Sequence, residues 1–436
     1  MLAQALDSIS MVGFLTASII LILVVLNLYS SFRQHRVALK LLQQQVENAR
    51  ETGRRLHAEW ARNQAQTELS WNGFRKFKVE RKVFEDPFGN VCSFYLAPHD
   101  GKPLPLFKPG QFLTFQLRIP GAGSDAGKAQ AKPTIRCYSL SDSHKPDYYR
   151  VSIKKQSAPP AKPDVLPGLA SNFFHGQVNE GDIVDIKAPT GDFFLDTTKD
   201  SPVVLIGGGV GITPVLSMLN TIVGSGSKRE TWFFLGVRNK SEHIMADHLA
   251  RIASEYDNIR VQVCYSNPEE QDIKGQDYHH AERVSVDLFK RLLPSNNYQF
   301  HICGPPPMMA SLVEGLRDWG VPDNDIKFEA FGPASVKKVS QTAAPAAEAP
   351  GSEVSVTFSK SGKTVSWNPG VTSLLECAEA NGVVIDSGCR VGNCQTCLTA
   401  IKQGDVQYIH DPKPKPQAGT CLVCISAPKG NLVLDA

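Results

Sequence analysis

A chain of 436 residues with 42% hydrophobic and 20% charged residues has an ordinary globular composition and enough length for two or three cores, which excludes a disordered or fibrous architecture. A formal net charge of +3, without a basic stripe interleaved with aromatics, argues against nucleic acid as a partner. Ten cysteines, of which Cys92, Cys264 and Cys377 lie in apolar or strand-like runs, fit a reducing compartment better than a disulfide scaffold.

No charge interrupts the chain from Ser8 to Phe32. As a helix of about 24 residues at ~1.5 Å each, this stretch matches a bilayer core of ~30 Å. It lacks the basic n-region and small-residue cleavage site of a signal peptide, so residues 1–32 are expected to be an uncleaved transmembrane helix. Arg33, Arg36 and Lys40 follow it, which by the positive-inside rule implies a single-pass protein of the inner or plasma membrane with its remaining domains in the cytoplasm. Residues 33–70 read as a juxtamembrane helix. Leu39, Leu42, Val46, Ala49, Gly53, Leu56 and Trp60 recur at alternating steps of three and four, as in a coiled-coil homodimer, but the weak Ala49 and Gly53 positions favour a plain spacer.

From Trp71 to about Thr198, short alternating strands such as Phe112-Leu113-Thr114-Phe115 and Tyr149 to Lys154 are broken by Gly and Pro, the pattern of a small antiparallel β-barrel. Within it, Arg136-Cys137-Tyr138-Ser139 puts Arg136 and Tyr138 on one face of an extended segment. Such a segment can neutralise a flavin phosphate with Arg136, pack Tyr138 along the isoalloxazine, and hydrogen-bond a flavin ring nitrogen with Ser139; an ordinary strand carries the same residues.

Residues 199–333 change character. Apolar strands Val203 to Ile206, Thr231 to Leu235 and Tyr298 to Ile302 alternate with helical stretches, which predicts an α/β domain with a parallel sheet. Directly after the first strand comes Gly207-Gly208-Gly209-Val210-Gly211-Ile212-Thr213-Pro214. Glycines at this position let backbone N–H groups approach a pyrophosphate at a helix start, although Ile212 occupies the third glycine of the dinucleotide fingerprint, and a tight strand-to-helix turn needs glycines too. His279 and His280 have no partners at metal-ligand spacing and read as a polar loop.

Residues 334–352 form an Ala/Pro-rich tether without apolar periodicity. Beyond it, residues 353–436 contain Cys389, Cys394 and Cys397 in the C-x4-C-x2-C spacing that seats a 2Fe–2S cluster, with Cys421 and Cys424 as candidates for the fourth thiolate. Zinc ribbons usually pair two C-x2-C knuckles, whereas Cys421 and Cys424 stand far along the chain in a strand-like run.

The segment from Glu353 to Ala436 resembles a plant-type ferredoxin domain over its whole length: alternating Val354, Val356 and Phe358, a turn at Ser361-Gly362-Lys363, a helix over Ser373 to Ala380, then the ligand loop. The resemblance implies a β-grasp (α+β) fold and makes Cys424 the last ligand, with Cys421 a spare thiol.

Residues 71–333 resemble the ferredoxin-NADP reductase superfamily, and within it the reductase portion of flavohemoglobins. The likeness rests on Arg136-Cys137-Tyr138-Ser139, Tyr149 to Lys154, Pro167-Gly168-Leu169-Ala170-Ser171-Asn172, Gly191-Asp192-Phe193-Phe194-Leu195, Gly207 to Pro214, Cys303-Gly304-Pro305-Pro306-Pro307-Met308-Met309 and Phe328 to Pro333, in that order. It implies that 71–198 is a flavin barrel in which Phe112, Arg136, Tyr138 and Ser139 contact the flavin and Gly168 to Ser171 hold its pyrophosphate. It further implies that Gly208, Gly209, Gly211 and Thr213 cradle the dinucleotide, Cys303 and Gly304 border the nicotinamide, Phe331 covers the flavin ring, and Glu329 assists proton movement. Ser139, Cys303 and Glu329 are thus the residues expected at the chemistry. The Gly168-Leu169-Ala170-Ser171 segment implies FAD rather than FMN. Ser266-Asn267-Pro268-Glu269-Glu270, after the strand Arg260 to Tyr265, would repel a ribose phosphate and favours NADH, with Arg238 retaining NADPH as an alternative.

The domain order resembles reductase components of bacterial oxygenase systems. It implies electron flow from NAD(P)H to FAD to the 2Fe–2S cluster and on to a one-electron protein acceptor, membrane-associated in view of the expected anchor: an oxygenase, hydroxylase, desaturase or cytochrome. A respiratory or quinone reductase subunit is the rival within enzymes; the sodium-pumping NADH:quinone reductase carries its ferredoxin before the reductase, the reverse of the order here. A redox-responsive interaction protein is the rival outside them.

Overall fold

The computed structural model describes residues 16, 18, 21, 23–36, 40, 42–53, 69–86, 88–120, 133–158, 167–329, 331, 354–368, 371, 373–390, 392, 394–409, 412 and 415–436. The chain divides into two units, Met1–Glu68 and Leu69–Ala436, and every strand among the described residues belongs to the second.

The first unit corrects one expectation. Among the described residues no helix is long and apolar enough to cross a membrane. The described helical residues from 30 to 36 include Ser30, Ser31, Arg33, Gln34, His35 and Arg36, polar side chains that do not suit a bilayer core. The transmembrane helix, and the single-pass inner or plasma membrane location built on it, are therefore withdrawn. Of the heptad-like positions, Leu42 and Val46 are helical and exposed, while Leu39, Leu56 and Trp60 lie outside the described residues, as does the tether at 334–352.

In the second unit, alternation at Phe77, Val79, Phe94 and Leu96 buries one face of an antiparallel sheet of order β4-β3-β6-β1-β2-β5. Its strands are β1 (Arg75–Phe84), β2 (Val91–Pro98), β3 (Phe112–Leu117), β4 (Thr134–Ser139), β5 (Tyr149–Lys154) and β6 (Ile183–Thr190). The terminal strands meet at a Leu140–Val151 bridge, closing the sheet into the expected barrel. Phe174, from the helix Leu169–Gly176, plugs it, with its ring edge-on to Phe94 at 5.1 Å and to Phe115 at 5.3 Å.

Next comes the expected parallel sheet, of order β11-β10-β7-β8-β9, formed by β7 (Val203–Gly208), β8 (Thr231–Val237), β9 (Ile259–Tyr265), β10 (Gln299–Cys303) and β11 (Ile326–Glu329). Alternate residues serve opposite faces. Val203, Leu205, Phe233 and Leu235 pack on the helices Ile212–Gly224 and Ala246–Glu255, whereas Val204, Ile206, Trp232 and Phe234 pack on Val286–Leu292 and Pro306–Asp318. Continuous apolar strands are the signature of a sheet covered on both sides. Ser217 and Asn220 of the first helix bond Asp142 of the barrel at 2.7 and 3.0 Å, fixing barrel against sheet.

The C-terminal part forms a mixed sheet of order β13-β12-β18-β14-β16, from β12 (Ser355–Phe358), β13 (Lys363–Ser366), β14 (Leu398–Gln403), β16 (Thr420–Leu422) and β18 (Leu432–Leu434), with a two-stranded ribbon of β15 (Val406–Tyr408) and β17 (Ser426–Pro428). The helix Leu374–Ala380 lies on this sheet through Leu374, Leu375 and Ala378, in agreement with the β-grasp expectation. Its start is dictated locally: Ser373 caps the helix by accepting from the Glu376 N–H at 3.3 Å.

Candidate functional site

A cleft of 380 Å³ opens where β4, β5 and the end of β11 meet the loop at 387–390. Its size falls in the range of small-molecule sites. β4 runs antiparallel to β3 with Ser139 opposite Phe112 and Arg136 opposite Phe115, so Phe112, Arg136, Tyr138 and Ser139 all border the cleft. Tyr138 presents its ring edge to Phe115 at 5.7 Å and Phe174 at 5.4 Å, and burial pushes its hydroxyl above the usual phenol range. Arg136 is exposed; its guanidinium donates to Ile135 O at 2.7 Å and has no acidic partner among the described residues, which leaves a full positive charge at the rim. Phe331, exposed and also lining the cleft, follows β11.

Glu329 is the chemically unusual group here. Parallel pairing of β10 with β11 sets it beside Cys303, and it lines the cleft together with Ser139. Its Oε2 is buried without a hydrogen-bond partner among the described residues. Burial pushes the carboxyl up to about 8, against a smaller opposing pull from nearby Ser139, so it carries a proton at neutral pH. The Cys303 thiol is buried as well and held well above its ordinary range by desolvation and by the neighbouring Glu329. A proton-bearing carboxyl, a hydroxyl and an orphaned oxygen at the inner end of an open cleft suit the polar edge of a flavin, and the free Arg136 at the rim suits its phosphate.

The glycine turn divides by role. A Cβ on Gly211 would lie 2.4 Å from Cys303 O, one on Gly208 2.7 Å from Pro305 Cδ, and one on Gly304 within 3.1 Å of the Gly208 backbone. These three glycines let two loops touch. Gly209, by contrast, has φ +53° and nothing within 4 Å of where a Cβ would stand, so its backbone faces open space as a dinucleotide cradle requires. Val210 and Thr213 line the cleft; Gly208, Gly209, Gly211, Cys303 and Gly304 do not. Gly168 and Ser171 also lie off its wall. Ser171 Oγ accepts from Gln156 N and donates to Gly168 O, both at 3.1 Å, and it is Gln156 that reaches the cleft. At the sheet's far edge Arg238 is held by Glu242 at 2.6 Å, and Glu269 accepts from Asn239 at 2.8 Å. His279 and His280 bond Val263 N–H and Gln262, as a polar loop would.

The four candidate ligand cysteines stand as two pairs. Cys389 N–H donates to Cys394 Sγ at 3.2 Å and Cys394 N–H to Cys389 Sγ at 3.3 Å, while Cys397 Sγ lies 3.1 Å from Cys424 Sγ. Among the described residues no three His, Cys, Asp or Glu side chains converge on one metal ion. Two thiol pairs instead match a dinuclear cluster, in which each iron takes two protein ligands. Left-handed backbone at Arg390 and Gln395, both φ +56°, and at Gly392, φ +80°, curls the loop around the pairs. Cys421 is buried in the domain core, its thiol pushed up to about 12 by desolvation.

Sequence reasoning missed three contributors to the cleft: the loop at 387–390, Lys154 with Gln156, and Cys137. Cys137 stands inside a quoted motif, but strand alternation turned attention to its neighbours. Nothing in the local sequence says that Ser387 to Arg390 return to the barrel.

Two family models match: an oxidoreductase NAD-binding domain over residues 205–314 and a 2Fe-2S iron-sulfur cluster binding domain over residues 356–429. The chain joins a ferredoxin-NADP reductase-like NAD-binding domain to a 2Fe-2S domain. A flavohemoprotein of Halalkalibacterium halodurans is 39% identical over 264 residues, covering 61% of each chain. This chain thus spans about three fifths of the length of the curated relatives it matches. Among solved structures, the flavohem-like FAD/NAD binding domain of a nitric oxide dioxygenase from Vibrio cholerae O1 biovar El Tor superposes with a TM-score of 0.51 at 30% identity, covering 60% of this chain and 100% of that one. An intact type IV self-sufficient cytochrome P450 monooxygenase shares the fold over 83% of this chain and 41% of its own, with a TM-score of 0.53 at 20% identity.

Proposed function

We propose that this protein is an NADH-dependent reductase that uses FAD and a 2Fe–2S cluster to deliver electrons one at a time to a protein acceptor, an oxygenase or hydroxylase component being the reading that the domain order favours. The observation that carries the proposal is the shared cleft: the flavin-motif residues Arg136 to Ser139 and the cluster-loop residues Ser387 to Arg390 line one space. FAD is the flavin named for the Vibrio cholerae domain, which is alike over 60% of this chain. On this reading the working domains are 71–198 for the flavin, 199–333 for the coenzyme and 353–436 for the cluster.

When bound, the flavin supplies the conversion of a two-electron hydride into single electrons, and the cluster supplies the one-electron relay. The protein's own residues do the rest. Arg136 would neutralise flavin phosphate, Tyr138 would pack on the ring system, and Phe331 would cover it. Ser139 and Glu329 hold a proton at the flavin edge, where charge changes on reduction. The open Gly209 backbone receives the coenzyme pyrophosphate, and Cys303, tied to the turn through Gly211, borders the nicotinamide. Glu242 occupies Arg238, the cation that a ribose phosphate would need, which favours NADH over NADPH.

Anaerobic titration of the full chain with NADH and, separately, NADPH tests this, followed by visible spectra. Flavin bleaching and then cluster reduction by NADH is the expected course. Flavin bleaching with a cluster that stays oxidised would reject the electron path.

A further inference from the structure

We propose that Asp142 is a positioning residue for the meeting of coenzyme and flavin: it clamps the helix that begins at the glycine turn onto the segment that leaves β4, and so sets the width of the cleft between them. The inference rests on the reductase reading above and adds to it a residue that lies off the cleft wall.

The helix Ile212–Gly224 is buried and apolar over most of its length, yet Ser217 and Asn220 are buried with it. Polar groups in such a place need partners. With Gly224 they are spaced three and four residues apart, so they share one helix face. That face meets the barrel at a single turn. Ser217 Oγ donates to Asp142 O at 2.7 Å, Asn220 Nδ2 donates to Asp142 Oδ1 at 3.0 Å, and a Cβ on Gly224 would stand 3.8 Å from Ser143 Oγ.

Both ends of the clamp are held. On the barrel side Leu140 N–H donates to Gln111 O and Ser141 N–H to Arg150 O, each at 2.9 Å. The buried Arg150 donates in return to Ser141 O and, at 3.2 Å, to Ser141 Oγ, while its guanidinium stands 3.8 Å from the Asp142 carboxylate. Tyr148 O–H donates to that carboxylate as well, at 3.3 Å. On the helix side Asn220 Oδ1 accepts from His248 Nε2 at 2.7 Å, which fixes the amide with its nitrogen toward Asp142.

The clamp reaches both walls of the cleft. Val210 and Thr213 line one wall, and Tyr138 and Ser139 the other. Ser217 and Asn220 follow Thr213 by one and two helical turns, about 6 and about 10 Å along the axis at ~1.5 Å per residue, and Asp142 follows Ser139 closely on the chain. Groups that react must approach to about 3–3.5 Å, and a misplacement of about 1 Å can cost on the order of 100-fold in rate. In the transfer concerned the coenzyme C–H bond breaks and its hydrogen passes with the electron pair to the flavin; Asp142 takes no part in the bond changes.

The test compares the full-length, FAD-loaded parent with Asp142→Ala, Asn220→Ala, the double variant and Asp142→Asn. Hydrogen–deuterium exchange without coenzyme reads the clamp itself: Asp142→Ala should speed exchange in the helix Ile212–Gly224, and Asn220→Ala should speed it across the interface, in the turn at 140–148. Stopped-flow flavin reduction reads the consequence. Each Ala variant should lose roughly 10- to 100-fold in limiting rate with the apparent Kd for NADH little changed, and the double variant should lose no more than the slower single, because both remove one contact. Asp142→Asn, which still offers an acceptor oxygen, should stay near the parent. Exchange that stays unchanged across the interface, limiting rates at the parent value, or losses that multiply in the double variant would overturn the proposal. Asn220→Ala keeps the test decisive if Asp142→Ala fails to fold. A parent flavin that NADH does not bleach, with the exchange effects present, would reject the reductase reading and leave the clamp standing; a parent reduced by NADH with equally fast Ala variants would reject the clamp's role alone.

Discussion

Replacing Glu329 by Gln tests the buried carboxyl directly. In the folded chain this group binds its proton up to about 8, against 4.5 for an ordinary glutamate. The folded state therefore holds a proton that the unfolded state releases, and stability falls as pH rises between those two values. At 1.36 kcal/mol per unit the difference reaches a ceiling of about 5 kcal/mol above pH 8. Gln keeps the size and a hydrogen-bonding group for Ser139 but cannot ionise. Thermal unfolding of both proteins at several pH values from 4 to 9 is the assay. At pH 4 to 4.5 the two should unfold within a few degrees of each other. Toward pH 8 the Gln variant should gain over the parent by a widening margin, at roughly 2–4 °C per kcal/mol for the domain concerned, with a plateau beyond. On the proposed function, coenzyme-driven flavin reduction should meanwhile slow in the variant, since the proton that Glu329 would hold beside the flavin is gone. Melting curves that stay parallel across the whole range would mean that Glu329 titrates like a surface carboxylate, and the proton-holding role would fail with it.

Cys424→Ser should remove the visible absorption of the cluster and most bound iron while leaving the flavin spectrum intact, because Cys424 stands 3.1 Å from Cys397 in the second thiol pair and away from the flavin strand; iron analysis and spectra decide it. Arg136→Ala should weaken flavin retention roughly 10- to 100-fold, the worth of one charged hydrogen bond of about 1.5–3 kcal/mol, without lowering thermal stability, since the exposed guanidinium serves only its own strand; equilibrium dialysis against FAD measures the loss. Gly211→Ala should destabilise the chain by about 1–3 kcal/mol, because its Cβ would press on the Cys303 carbonyl at 2.4 Å and backbone cannot give way cheaply; calorimetry reports the lowered transition. Glu242→Gln should release Arg238 and raise kcat/KM with NADPH relative to NADH several-fold, read from steady-state rates with the two coenzymes.

The strongest sequence signals were those that physics makes local. Alternation of apolar residues gave the barrel strands, unbroken apolar runs gave the parallel sheet, and the apolar run over Ser373 to Ala380 gave a helix, since each depends on neighbours a few residues away. The ligand-loop spacing was legible for the same reason. The apolar stretch before Phe32 suggested a span by hydropathy alone, yet among the described residues no helix is long and apolar enough to cross a membrane.

What the chain by itself determined, then, is the order of its domains and the residue types at each site: Arg136 to Ser139, the glycine turn and the four cysteines. Tertiary structure alone decided how they act. Parallel register placed Glu329 beside Cys303, and burial pushed its carboxyl above the usual carboxylate range. Close packing separated Gly209, open to a ligand, from Gly208, Gly211 and Gly304, which serve the fold. Packing between segments more than 250 positions apart brought Ile135 against the loop at Gly388. Desolvation, register and contact depend on what surrounds a residue in space, and no local pattern encodes them.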